Sequence, residues 1–212
     1  MSASAVFAAS RPPAAAPRLS CKLLLVVLAG LVASGCGINA IPTYEEQAVA
    51  AWGQVENQYQ RRADLVPNLV ETVKGYAAHE REVLETVVKA RAEATQVRIP
   101  PDILTDPAAF ERFQQAQSAL SGALARLLAV VENYPDLKAN QNFLALQSQL
   151  EGTENRISVA RRDYIEAVRL YNTELRTIPG RWWKALLYSD AQAMANFTAE
   201  AETATPPSVN FN

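Results

Sequence analysis

Phe143, Leu150, Ile157, Tyr164, Tyr171 and Ile178 recur at every seventh position without a miss, and Leu146, Ala160, Val168 and Leu175 widen the band. An apolar stripe of this period and length predicts one helix over 137–178, packed along its whole extent against others. At about 1.5 Å per residue it spans roughly 60 Å, so its partners must be long too. Asp136, in the connection NYPD at 133–136, is the expected cap at its start, and Pro179-Gly180 stops it. A second stripe, Phe110, Phe113, Leu120, Leu124, Leu127 and Val131, follows Asp106-Pro107. That pair reads as an N-cap with proline in the first helical position, and only Gln117 interrupts the a/d pattern. The chain has 8 glycines in 212 residues and is rich in strong helix formers, which argues against an all-β fold.

The stretch QYQRRADLVPNLVETVKGYAAHE, Gln58 to Glu80, places two arginines, an aspartate and a proline inside a helical pattern. A proline in a helix interior costs about 3 kcal/mol or more, but in the first turn it costs little. With Asp64 as N-cap, Pro67 would lie in such a turn, so one helix over 43–63 would fold back onto another over 65–98. Thr43 and Glu46, in the S/T-x-x-E form of a capping box, would start the first, and Val49, Trp52, Val55 and Tyr59 carry its apolar spacing. The expected fold is all-α, an antiparallel up-and-down four-helix bundle. The alternative is three long helices, the first kinked at Pro67. Against reversal, no glycine lies near 62–66.

The first 35 residues have another character. Their only charges are Arg11, Arg18 and Lys22, and Leu23 to Ala33 is an uninterrupted apolar run. The run suits a signal-peptide core and is short of the roughly 20 residues that span a bilayer. It leads to ASGC, Ala33 to Cys36, which resembles the lipobox of bacterial lipoproteins, although Ala33 stands where leucine is preferred. Residues 1–35 are thus expected to be a lipoprotein-type signal peptide, with Cys36 the lipidation site and 36–42 a tether; the alternative is an uncleaved N-terminal anchor. Residues 43–187 would form the bundle and 188–212 an extended C-terminal tail. Removing the leader takes away basic residues only, making the body more acidic than the full chain's net charge of −2. An acidic body without a dense basic run is a poor nucleic-acid binder. Of the cysteines, Cys21 and Cys36, cleavage removes one, leaving no disulfide pair, and no cluster suggests a metal or cofactor.

Three long segments carry a family resemblance: Ile41 to Glu80, beginning IPTYEEQAVAAW; Tyr134 to Ile157, YPDLKANQNFLALQSQLEGTENRI; and Ala160 to Gly180, ARRDYIEAVRLYNTELRTIPG. In these the chain resembles the LemA family of bacterial envelope proteins. The resemblance implies a helical bundle behind an N-terminal membrane anchor or lipidation site, and no defined reaction. Where the family commonly has Tyr-Asn after Arg-Arg-Asp, this chain has Tyr164-Ile165, so no role of that asparagine carries over. Genes of such proteins often neighbour those of membrane proteases or TPM-domain proteins, which implies an envelope protein as partner. The expected placement is the cell envelope, facing the periplasm or the exterior. In a Gram-negative cell, Gly37 after the cysteine favours the outer membrane.

Arg61, Arg62, Asp64 and Asn68 lie near one turn, and Glu154, Asn155, Arg156, Arg161 and Arg162 on the last helix. They read either as an interhelical polar network that fixes register or as a groove offering arginines to a carboxylate or phosphate; the network is the preferred reading. His79-Glu80 begins like a zincin motif, but Val83 stands in place of the second histidine, so no metal site follows. No nucleophile–base pair can be assembled, and the chain is expected not to be an enzyme. Trp182 and Trp183, between Arg181 and Lys184, suit either a cap over the bundle end, which is preferred, or a membrane interface. The functional expectation is a membrane-anchored scaffold or adaptor. The alternatives are an anionic-ligand sensor or enzyme using the arginine groove, and a homo-oligomeric coiled coil.

Overall fold

In the computed structural model, residues 37–96 and 102–198 are described; the leader and Cys36 lie outside them. The described residues are all-helical: α1 (Ala40–Lys74), α2 (Arg81–Gln96), α3 (Pro107–Val131), the short α4 (Pro135–Lys138), α5 (Gln141–Glu174) and α6 (Gly180–Leu187). α5 runs antiparallel to α1. Phe143 joins Val66, Leu69 and Val73 in one apolar cluster, while Tyr171 and Leu175 join Ile41 and Ala48 in the other. α2 and α3 form the second antiparallel pair.

The chain does not reverse at residues 62–66. α1 continues through Pro67, and the reversal falls at 75–80, where Ala77 is fully buried. Two features hold the helix together. Its buried face runs unbroken through Trp52, Val55, Tyr59, Arg62, Val66, Leu69 and Val73, with Pro67 on the exposed side. Pro67 also removes the amide that would bond the carbonyl of Ala63, and the Arg91 Nε of α2 donates to that carbonyl instead at 2.8 Å. Asp64 is accordingly no cap; it accepts from Gln60 on the exposed face. The expected 65–98 helix is therefore divided, its first third belonging to α1.

Other boundaries shift for similar reasons. Helix α1 begins at Ala40, so part of the expected tether is helical, and Ile41 is fully buried. Pro42 sits in the first turn, where its missing amide has no partner to lose. Thr43 is inside the helix, its hydroxyl donating back to the Asn39 carbonyl at 2.7 Å, so the capping box does not form. Asp106 caps α3 as its sequence suggests, accepting from the amides of Ala108 and Ala109. Asp136 instead lies in α4, and Asn140 caps α5 by accepting from the Phe143 amide.

α2 is only 16 residues against 35 in α1, roughly 24 Å against 52 Å. The half of the bundle that α2 does not reach is covered by other means. Ile103 and Leu104 enter its core, and so do Met194 and Phe197. The stretch read as a tail is thus extended but not loose along 191–198. The Asn172 side-chain amide grips Met194, donating to its carbonyl and accepting from its amide at 2.9 Å each. Tyr164 donates to the Ala195 carbonyl at 2.7 Å. Phe197 then fits against Phe110, Tyr164 and Trp52, with ring centroids 4.9, 5.6 and 6.3 Å away.

α6 begins at Gly180, which lies so close to the end of α5 that an added Cβ would stand 2.2 Å from the Glu174 carbonyl oxygen. Only glycine permits that approach. No helix among the described residues is long and apolar enough to cross a membrane.

Candidate functional site: a buried arginine network and a shallow groove

The apolar stripes of α1, α3 and α5 converge, but at mid-length the seam is interrupted by charge. Arg62 is 2% exposed and lies between the two apolar clusters. One terminal nitrogen donates to the Ser121 hydroxyl at 2.7 Å and to Glu154 Oε1 at 3.0 Å. The other donates to the backbone and side-chain oxygens of Gln117, at 3.1 and 2.7 Å. Gln117 passes the contact on, donating to the Ala94 carbonyl of α2 at 3.3 Å. The Arg62 guanidinium also lies 5.0 Å from the Tyr59 ring centroid. Groups from α1, α3 and α5 therefore meet at one cation, and α2 is joined to it through Gln117. Its Nε has no partner among the described residues.

An uncompensated charge at such a depth would cost many kcal/mol. Here one carboxylate and three neutral oxygens take up the two terminal nitrogens, and Glu154 is the ionised partner among them. Glu154 keeps part of its side chain in water, which reduces its own desolvation cost. Burial pushes the Tyr59 phenol above its ordinary pKa, opposed by the positive charges of Arg161 and Arg62. Beside Tyr59, Ala94 and Gln117 lies a cavity of about 70 Å³. That is room for water, well below the roughly 300 Å³ of a metabolite site.

The structure brings only Arg62 and Glu154 of the sequence candidates into this network. Arg61, Asp64 and Asn68 are exposed on α1. Arg162 lies 3.4 Å from Asp163 at the surface. Arg161 covers the Phe197 ring, its guanidinium carbon 4.3 Å from the centroid, and so helps hold the C-terminal segment. Asn155 and Arg156 line a shallow groove between α1 and α5 with Gln54, Gln58, Val159 and Asp163. In that groove the Arg156 Nε donates to Gln58 at 3.3 Å, and Val159 is 48% exposed. His79 is exposed in the α1–α2 turn. Among the described residues no group of His, Cys, Asp or Glu is arranged to hold a metal ion.

Residues beyond the sequence candidates matter as much. Gln117 left a trace as the gap in the α3 stripe, a polar residue where a core residue belongs. Arg91 could have been sought from the carbonyl that Pro67 orphans. Ser121, Asn172 and Met194 left no comparable sign.

The heptad residues Leu150, Ile157, Tyr164 and Tyr171 are buried within the chain, and the central cation is enclosed by the chain's own acceptors. These features define an all-helical bundle protein with an internal ionic lock and a shallow polar groove on its flank. The sequence profile of the LemA family matches residues 51–211, and the chain belongs to that family. It is similar to magnetosome proteins MamQ 1 and MamQ 2 of Paramagnetospirillum magneticum (strain ATCC 700264 / AMB-1), each 26% identical over 185 residues that span 80% of this chain and 67% of the relative. It is also similar to magnetosome protein MamQ of Magnetospirillum gryphiswaldense (strain DSM 6361 / JCM 21280 / NBRC 15271 / MSR-1), 26% identical over 157 residues, 66% of this chain and 58% of that one. Neither the family's description nor these names denotes a reaction.

Proposed function

We propose that this protein is a membrane-attached scaffold of the bacterial envelope that docks another envelope protein on the groove between α1 and α5, without catalysing a reaction. The observation that carries the reading is the division of labour among the arginines. Arg62, the residue best suited to grip an anion, has both terminal nitrogens occupied inside the bundle. Arg156 stands outward beside the exposed Val159, amides and Asp163. A small apolar centre ringed by amides and charges of both signs suits a protein surface better than a metabolite. Attachment through Cys36, or through an uncleaved anchor, would hold this groove near the membrane. Membership in the LemA family agrees with this reading, and the relatives are named as magnetosome proteins rather than for a reaction.

Site-specific photocrosslinking in cells tests it. A crosslinker at Val159 should trap a discrete partner, and Arg156→Glu should abolish the adduct while leaving the helical content unchanged. Adducts at Val159 no more frequent than at the exposed Thr86 of α2 would refute the groove as a docking site.

A further inference from the structure

α6 presents an apolar face that nothing in the described structure covers. Trp182 is 59% exposed, Leu186 73% and Leu187 57%, and Ile178 just before the helix is 64% exposed. The neighbouring Trp183 is half-buried and packs on the apolar cluster that contains Ile41 and Leu175. The two tryptophans therefore divide the readings that their sequence left open, Trp183 serving as the cap. Around the exposed face the charge is one-sided: Arg176, Arg181 and Lys184 line a hollow with Leu175, Ala185 and Ser189. None of the three makes an ion pair with a carboxylate of the described residues. Of the acids in this corner, Glu174 faces Gly180 and Asp190 accepts from the Ser189 hydroxyl.

The position of this face identifies what covers it. Because α5 is antiparallel to α1, α6 sits at the end of the bundle where α1 begins, and it contacts α1 there. Only Gly37, Ile38 and Asn39 separate Ala40 from Cys36, a reach of at most about 14 Å. The apolar run Leu23 to Ala33 lies directly before. The end carrying the exposed tryptophan, leucines and basic residues is thus the end tied by a short covalent link to the membrane-seeking segment. Tryptophan belongs at headgroup level, and arginine and lysine beside it attract anionic lipid.

The geometry points to α6 as a second membrane contact: Trp182, Leu186 and Leu187 enter the headgroup region of an anionic bilayer while Arg181 and Lys184 meet its phosphates. This rests on the membrane-attachment reading above and adds to it a fixed orientation. A bundle held at two points stands at a defined angle to the surface, which sets the height of the α1–α5 groove; one short tether alone would let it swing.

The full-length protein reconstituted into vesicles tests the inference, with flotation reporting attachment and quenching of tryptophan emission by brominated phospholipid reporting contact. In vesicles containing phosphatidylglycerol, flotation should be accompanied by quenching. Trp182→Ser should remove most of that quenching, because Trp52 is buried in the core and Trp183 packs against it. Arg181→Glu with Lys184→Glu should reduce it at least twofold, as should pure phosphatidylcholine, with flotation retained. Flotation without quenching of Trp182 would overturn the docking and leave attachment standing. Failure to float would overturn both. Shielding of Trp182 from lipid that grows with protein density would assign the face to a second copy and overturn the inference.

Discussion

A hydrogen bond from another helix supports the passage of α1 through Pro67, and a double-mutant cycle measures it. Arg91→Met keeps most of the side chain's apolar stem but removes the donor 2.8 Å from the Ala63 carbonyl. A hydrogen bond from a charged donor contributes roughly 1.5–3 kcal/mol, and an orphaned carbonyl of this kind carries a similar penalty. The expected loss is about 2 kcal/mol, or roughly 5 °C in Tm for a domain of this size. Pro67→Ala supplies the missing amide from within the helix. It should stabilise the protein by about 1–2 kcal/mol, less than the roughly 3 kcal/mol penalty of an unsupported helical proline, because Arg91 already relieves part of that penalty. In the Pro67→Ala background the Ala63 carbonyl no longer depends on Arg91, so Arg91→Met should cost about 1 kcal/mol or less. The coupling is therefore about 1–2 kcal/mol, well above the few tenths at which independent sites add. Urea denaturation followed by far-UV circular dichroism reads all four corners. Equal cost of Arg91→Met in both backgrounds would refute the claim that Arg91 replaces the amide Pro67 lacks.

Three further outcomes follow from the core. Arg62→Ala should destabilise by about 3 kcal/mol, the lower part of the range for breaking a buried pair, because the Glu154 left behind already reaches water; Glu154→Gln should cost at least as much, about 3–5 kcal/mol, because it leaves the buried guanidinium without its ionised partner, and a clearly smaller loss in urea titrations would refute that compensation. Phe197→Ala should cost about 3 kcal/mol and redshift the emission of Trp52, which it touches; an unchanged spectrum and midpoint would mean that the 191–198 segment contributes no core packing. Burial, aided by the negative charge of Glu45, pushes the Tyr171 phenol from 10.0 to about 12. Its neutral form favours the fold, so this contribution is present in full below pH 10 and is lost as pH rises from 10 to about 12, following proton linkage. Tyr171→Phe should make the alkaline loss of stability shallower across that window, and an unaltered pH profile would contradict the shift.

An ionic lock at mid-bundle also bears on why the fold has one register. The apolar seams above and below Arg62 contain interchangeable aliphatic and aromatic residues, and sliding α5 along α1 by a heptad would still pair apolar faces. Such a slip would tear Glu154 from Arg62 and leave the buried guanidinium without its ionised partner. Buried polar groups can define register in this way in helical assemblies. The comparison of Arg62→Met with Arg62→Ala bears on it. If the lock serves register, the methionine variant keeps its midpoint better but unfolds less cooperatively.

The helical class, the long helix carrying the heptads and the Asp106 cap were legible in the order of residues alone. Heptad spacing and the Asp106-Pro107 pair act within a few residues, and the structure keeps both. The family resemblance, carried by long contiguous segments, was legible there too. The sequence did not determine where α1 turns back. A proline's cost is local, but its relief came from Arg91, twenty-eight positions from the Ala63 carbonyl it serves, and from an apolar face continuing beneath it. Nor could spacing reveal that α2 is too short to cover α1, or that Met194 and Phe197 return to fill the gap. Of the charged candidates, tertiary structure joined Arg62 to Glu154, laid Arg161 half-buried over Phe197 and left the rest at the surface, because depth from solvent arises only when helices from distant parts of the chain enclose the same point.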